Sequence, residues 1–299
     1  MKLVTFSTGC GDTHVGIADP ESETLRDLSS RLPDGLGLLD VIESWNKYEP
    51  LLKSTQDLPE LSLADVKVRA PIPVPRRDIF CVGKNYRDHV VEFGRSGYDM
   101  PDRSEETPEA PVVFHKATTS VAGPYDHIEP HTAVTQELDY EAELGVIIGR
   151  GGRGISRENA FDHVWGYTII DDFTARDLQR KHKQWLLGKS LDTHCPMGPY
   201  AVTKDEVPDP GALRVQSWVN GEARQDGQVS DLIFDIPELI STISAGITLL
   251  PGDIIATGTP AGVGIGFDPP RFVQPGDVIE ISITGLGTQR NEVRAVVPA

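Results

Sequence analysis

Residues 138–149 read LDYEAELGVIIG, an aliphatic, strand-like run in which Glu141 and Glu143 stand two residues apart. Side chains alternate faces along a strand, so both carboxylates point one way while Tyr140, Ala142 and Leu144 point the other. Carboxylates this close repel unless protons or a cation intervene, so the pair is either fully solvated or holds something positive. For an isolated E-x-E the solvated face is the commoner case, because most acids are exposed. A third acid weakens that reading. The run WGYTIIDD delivers Asp171 and Asp172 to the end of a second apolar segment. Alternation groups Asp172 with Gly166, Thr168 and Ile170, and Asp171 with Trp165, Tyr167 and Ile169. The pattern leaves open which aspartate joins the glutamates. Three carboxylates plus water suit a magnesium-like ion and leave positions for substrate. A dicarboxylate or oxo-acid could chelate that ion, which would stabilise an enolate formed when a neighbouring bond breaks.

Working outward, residues 2–7 and 14–18 form a candidate hairpin, and Leu36 to Trp45 has apolar positions at helical spacing. Prolines at 71, 73 and 75 then predict a stiff, extended connector. This divides the chain into a small N-terminal α/β domain, residues 1–72, and a mostly β catalytic domain, residues 73–299, within an α+β fold. Short runs such as VVFHK, VQSWVNG, DIIATG and DVIEISI supply strands, the last two each entered through a Pro-Gly pair that suits a type II turn. Helical patterns are NYRDHVVEFG, with Asn85 as cap, FTARDLQRKHKQW, and DIPELISTISAG, with Asp235 as cap and Gly246 as stop. A polar, acidic stretch near 95–110 reads as a loop that could move.

Composition narrows the partners. The 299 residues hold 28 Lys and Arg against 45 Asp and Glu, and the formal charge of −17 opposes nucleic acid and anionic membrane. Small molecules and cations remain. Cys10, Cys81 and Cys195 make an odd set without C-x-x-C spacing, which argues against disulfides and a cysteine zinc site and suits a reducing cytoplasm. No apolar run reaches the roughly 18 residues of a membrane span.

Further candidates lie around the acids. His89 and Glu92 stand three apart on one helix face, where a carboxylate can fix the imidazole as a general base, although surface pairs of this kind are common. Lys189 follows a glycine in LLGKSLDTHCPMGP and could meet a carboxylate or a developing oxyanion. Arg176 and Gln179 could together grip a carboxylate. His194 and Cys195 are only sequence neighbours, and Cys195 reads as structural. GVGIG at 262–266 suggests a dinucleotide loop, but Pro269 and Pro270 bar the helix that such a loop requires. Those glycines instead predict backbone passing close to a ligand, with the Thr259 hydroxyl nearby.

VGKNYRDH, the E-x-E strand, GYTIIDDFTARDLQ, LGKSLDTHCPMGP, ATGTPAGVG and PGDVIEISITGLGTQRN occur together and in order. This set resembles the fumarylacetoacetate hydrolase family over roughly residues 75–299. The resemblance implies a mixed β-roll catalytic domain, a homodimer, and Mg²⁺ or Mn²⁺ held by Glu141, Glu143 and, of the two aspartates, Asp172. It places the family's lid dyad on His89 and Glu92, its active-site lysine on Lys189, and its substrate contacts on Arg176, Gln179 and Thr259. Fumarylacetoacetase has a further upstream Asp ligand with no counterpart in FCVGKNYRDH. That difference points to the acylpyruvase, oxaloacetate decarboxylase and hydroxyheptadienedioate isomerase branches.

The expected activity is hydrolysis of a C–C bond in a 2,4-dioxo acid of acylpyruvate or fumarylpyruvate type, with His89 and Glu92 activating water, Lys189 assisting the oxyanion, and the metal stabilising a pyruvate enolate. Oxaloacetate decarboxylation and 2-hydroxyhepta-2,4-diene-1,7-dioate isomerisation are the alternatives within the family. A metal-dependent oxo-acid binding module is the non-enzymatic one.

Overall fold

The computed structural model describes residues 1–9, 11–95, 97 and 107–295. Cys10 and most of the 95–110 loop lie outside the described residues.

The E-x-E strand, Ala142–Ile148, runs antiparallel to Val164–Asp171, with Ala142 opposite Asp171 and Glu143 opposite Ile170. Every residue of both strands is buried. A solvated acidic face is therefore excluded. The two strands sit inside an 11-stranded sheet. On one side follow Ala201–Thr203, Lys2–Ser7, Thr13–Asp19, Thr24–Asp27 and Glu60–Ser62, with Lys67–Val68 also paired to Lys2–Ser7. On the other follow Ile254–Ala256, Ile79–Gly83 and Val112–Lys116. Lys2–Ser7 and Thr13–Asp19 pair as the expected hairpin. The prolines at 71, 73 and 75 lie in a segment with neither helix nor strand, as their fixed φ and missing donors require. Strands from both sides of that segment share the sheet, joined where Lys2 and Leu3 pair with Val202 and Ala201.

A second, four-stranded antiparallel sheet is ordered Glu222–Gln228, Arg214–Val219, Val278–Ile283, Gly287–Glu292. Its Val215, Ile279, Ile281 and Ile283 share one core with Leu144, Val146, Tyr167 and Ile169. On the opposite face Ile147 and Ile170 share a core with Val41, Ile42 and Leu52 of the short helices Leu38–Glu43 and Trp45–Leu52. The central strands are thus covered on both sides.

Simple alternation fails at one residue. Trp165 joins Ile170 in the second core rather than Tyr167 and Ile169 in the first. The ladder shifts between Ile147, opposite Gly166, and Ile148, opposite Val164, so Trp165 is an extra residue turned to the other face. The Pro-Gly turns form as expected, with Gly252 at φ +83 and Gly276 at φ +97, and with Asp253 N and Asp277 N each donating at 3.0 Å to the carbonyl three residues back. Asp235 caps Ile236–Ser244 by accepting from Glu238 N at 2.9 Å.

Asn85 does not cap the helix Arg87–Arg95. Fully buried, its amide donates to Phe234 O and Thr257 O at 3.0 and 2.7 Å and accepts from Phe234 N at 2.8 Å. Three partners on distant loops outweigh the single N–H that a capping side chain would satisfy. Among the described residues no helix is long and apolar enough to cross a membrane.

His194 is fully buried, and Nε2–H donates to Glu129 O at 3.0 Å while Nδ1 has no hydrogen-bond partner. Burial, reinforced by the charge of Lys116, pushes the imidazole down to about 3. The unfolded chain takes up this proton near pH 6.5. Stability from the neutral ring is therefore complete above roughly pH 6.5 and falls away towards pH 3, by at most about 1.4 kcal/mol per pH unit. Urea unfolding between pH 7 and 4 should show His194→Gln losing less stability on acidification than the wild type. Equal slopes for the two proteins would remove His194 from the acid response.

Candidate metal centre and active site

Glu141, Glu143 and Asp172 each bring one carboxylate oxygen into a set lying within 4.8 Å of one another. Their residues are 5%, 1% and 0% exposed. The tertiary structure thus settles which aspartate joins the glutamates. Asp171 turns away, accepts from Glu141 N at 2.9 Å through Oδ1, and is pushed up to about 8 by burial. It pins the backbone at Glu141.

Burying several carboxylates together costs several kcal/mol per ion unless cations accompany them. Three do. Lys189 Nζ donates to Glu141 Oε2 and Asp172 Oδ2, each at 2.7 Å. Lys116 Nζ donates to Asp172 Oδ1 at 2.7 Å and Phe173 O at 3.0 Å. Arg176 Nε donates to Asp139 Oδ2 at 2.9 Å. Arg176 Nη2 lies 2.9 Å from Asp139 and 2.7 Å from Glu141, but its N–H directions miss both oxygens, so that contact is ionic rather than a directed hydrogen bond.

Burial works against the charge of Glu141, yet Lys189 and Arg176 hold its carboxyl well below the ordinary carboxylate range. Glu143 goes the other way: burial, then Asp172 and Glu141, push it well above. Among the described residues no lysine, arginine or histidine pairs with Glu143, whose Oε2 accepts from Gly258 N at 2.9 Å. The donor set therefore fits a divalent cation. It is all oxygen, and the one member without a direct ion pair among the described residues is the member an ion would relieve.

His89 Nδ1 lies 3.1 Å from Glu92 Oε2, and Glu92 Oε1 accepts from Gly262 N at 2.9 Å. The second contact fixes the carboxylate, the first fixes the ring, and Nε2 remains for a ligand. Residues 262–266 lie close to the protein's own acids. Gly264 N and Ile265 N donate to Asp139 at 2.6 and 3.1 Å, and a Cβ on Gly266 would overlap Glu92. Small residues are required because backbone must reach both carboxylates.

One cleft collects His89, Glu141, Glu143, Arg176, Gln179, Lys189 and Thr259, with Glu92 and Asp172 bonded to members of that set. Arg176 and Gln179 do meet, Nη1 to Oε1 at 3.3 Å, but the guanidinium also faces the protein's own acids. The Thr259 hydroxyl donates to Ala142 O at 2.9 Å and accepts from Gln225 Nε2 at 2.6 Å. Cys195 is buried and its thiol is pushed up to about 12, as a structural cysteine should be.

Sequence reasoning missed Lys116, Asp139 and Gln225. Asp139 carried a signal, since it continues the two-residue spacing of Glu141 and Glu143. Lys116 ends an apolar strand, and Gln225 sits in a polar edge segment, so neither had a pattern to mark it. Gln225 is the tie between layers. Its Oε1 accepts from Ala142 N at 3.1 Å, between the two glutamates, and its Nε2 also donates to Pro260 O at 2.8 Å.

A family model described as fumarylacetoacetate (FAA) hydrolase C-terminal matches residues 78–294. The chain is 54% identical over 232 residues to oxaloacetate tautomerase YisK of Bacillus subtilis (strain 168), covering 78% of this chain and 74% of that protein. The fumarylacetoacetate hydrolase from psychrophilic Exiguobacterium antarcticum superposes with a TM-score of 0.85 at 42% identity, covering 99% of this chain and 100% of that one. Maleylpyruvate hydrolase from Sphingobium sp. SYK-6, solved with manganese(II) and pyruvate, superposes at 0.80 with 29% identity and the same coverage. Order of motifs, sheet architecture and a match spanning most of the chain agree: this protein belongs to the fumarylacetoacetate hydrolase family.

Proposed function

We propose that this chain is a Mg²⁺- or Mn²⁺-dependent enzyme that moves a proton beside the carbonyl of a small 2-oxo acid, interconverting keto and enol forms of an oxaloacetate-like diacid. The observation that carries the reading is the buried set Glu141, Glu143 and Asp172, in which Glu143 has no ion-pair partner among the described residues. The 54% identity to an oxaloacetate tautomerase supports placing this reaction ahead of C–C hydrolysis.

A divalent ion on those oxygens would supply Lewis acidity towards a 2-oxo group and its carboxylate. It would also invert the local charge. Asp139, Glu141, Glu143 and Asp172, when ionised, outnumber Lys116, Arg176 and Lys189 by one, and a divalent cation turns that surplus positive. An anionic substrate is then favoured despite the acidic molecule around it.

His89 is the base, with Nδ1 held by Glu92, and Nε2 takes a proton from C3 and returns it to the oxygen on C2. No water is consumed. Lys189 has spent two of its three N–H groups on Glu141 and Asp172, and the third meets the oxygen on which negative charge grows. Arg176 holds Glu141 in place, and its bond to Gln179 Oε1 leaves the Gln179 NH₂ for a substrate carboxylate. Thr259 holds its own segment against the glutamate strand at Ala142.

The second reading is hydrolysis of a 2,4-dioxo acid, favoured by likeness to maleylpyruvate hydrolase. The same dyad would then take a proton from the water that attacks the distal carbonyl.

Glu143→Gln should abolish turnover of oxaloacetate while leaving the circular dichroism spectrum and melting temperature near those of the wild type. Full turnover by chelator-stripped wild type would eliminate the ion from the reaction. His89→Ala should slow deuterium exchange at C3 of oxaloacetate by at least ~10²-fold, followed by proton NMR in D₂O. Unchanged exchange, coupled with release of pyruvate from an acylpyruvate by the wild type, would replace the tautomerase reading with the hydrolytic one.

A further inference from the structure

Tyr140 adjoins Glu141 in the chain yet plays no part in the chemistry proposed above. Its buried ring shares a core with Ala142 and Leu144, away from the carboxylates. Phenylalanine would fill that space equally well, and a buried phenol hydroxyl brings the added need for a partner. Tyr140 Oη finds its partner on the turn 262–266, donating to Gly262 O at 2.7 Å.

Gly262 is thereby gripped on both sides. Its carbonyl accepts from Tyr140, and its N–H donates to Glu92 Oε1 at 2.9 Å. Only glycine fits there, because φ is +108 and a Cβ would overlap Arg224 O. Two residues on, Gly264 N and Ile265 N donate to Asp139. On the other side, the buried Val263 and Ile265 pack with Phe93, the residue after Glu92. The turn therefore meets the segment that carries the acids through Asp139 and Tyr140, and the helix that carries His89 through Glu92 and Phe93.

A glutamate side chain has several rotatable bonds, so a carboxylate that is to orient an imidazole needs support from outside. Glu92 receives it from the Gly262 N–H, which is only as steady as the turn. Displacing a catalytic group by about 1 Å can cost ~10²-fold in rate.

We propose that Tyr140 is a positioning residue: its hydroxyl fixes Gly262, Gly262 fixes the Glu92 carboxylate, and Glu92 sets the His89 ring at a constant distance from the acids beside Tyr140. The turn 262–266 is then a strut between the acid-bearing segment and the base. This inference rests on His89 being the base, and a readout on the imidazole itself separates the two.

Tyr140→Phe removes one oxygen and keeps the ring. In the full-length, Mg²⁺-loaded protein, kcat for exchange of the C3 proton of oxaloacetate should fall at least ~10-fold with KM unchanged. Calorimetric affinity of the stripped variant for Mn²⁺ should match the wild type, because Glu141, Glu143 and Asp172 keep their partners. With isotope-labelled histidine, the His89 Cε1–H resonance, assigned by its loss in His89→Ala, should move in Tyr140→Phe, while that of His14 on the first hairpin stays in place. An unchanged kcat in an active protein, a matching loss of Mn²⁺ affinity, or an unmoved His89 resonance overturns the strut. A moved resonance with intact metal binding, in a protein that leaves the C3 proton unexchanged, keeps the strut and sinks the tautomerase reading. Full exchange by the wild type, with kcat and resonance alike in Tyr140→Phe, does the reverse.

Discussion

Everything in the cleft answers to a surplus of buried negative charge. Glu141, Glu143, Asp139 and Asp172 lie where water cannot solvate them, and carboxylates at such depth persist only beside cations, donated hydrogen bonds or protons. Each acid uses a different remedy. Asp172 takes two lysines, Glu141 takes a lysine and an arginine, and Asp139 takes an arginine and three backbone N–H groups. Glu143 has a single backbone N–H and two acidic neighbours, and so remains the one unbalanced group. That imbalance suits the cluster to the divalent cation proposed here.

The same need organises the surrounding loops. Residues 262–266 approach as bare backbone because N–H groups must touch Asp139 and Glu92 at once. Gln225 reaches from the second sheet to the backbone between the glutamates, so the spacing of the acids is tied to the packing of the two sheets. Asn85 ties the start of the His89 helix to Phe234 and Thr257. Rigid elements thereby hold the acids, while His89, the proposed base, sits on a helix joined to them by polar contacts. Such a division suits a site whose charges must stay fixed as a proton moves.

How much of this was legible follows from range. The glutamate pair, the Pro-Gly turns, the first hairpin and the Asp235 cap are short-range patterns, and all formed as their local chemistry requires. Errors arose where partners were distant. Asn85 resembles a cap by position, but its partners lie near residues 234 and 257. Trp165 obeys alternation in the sequence, yet a one-residue bulge turns it over. Lys116 carries no local sign of importance, because its partner Asp172 is far along the chain.

The sequence by itself determined that paired acids stand on one strand face, that a histidine and a glutamate share a helix face, and, through ordered motifs, the family. Period and spacing decide these things, since they depend only on backbone geometry within a few residues. Tertiary structure placed Asp172, the aspartate that the resemblance implied, beside the glutamates, and it alone decided that Lys116, Arg176 and Lys189 balance them and that, among the described residues, Glu143 has no direct ion pair. Those outcomes depend on which charges are buried together, and burial is a property of packed sheets rather than of any stretch of chain.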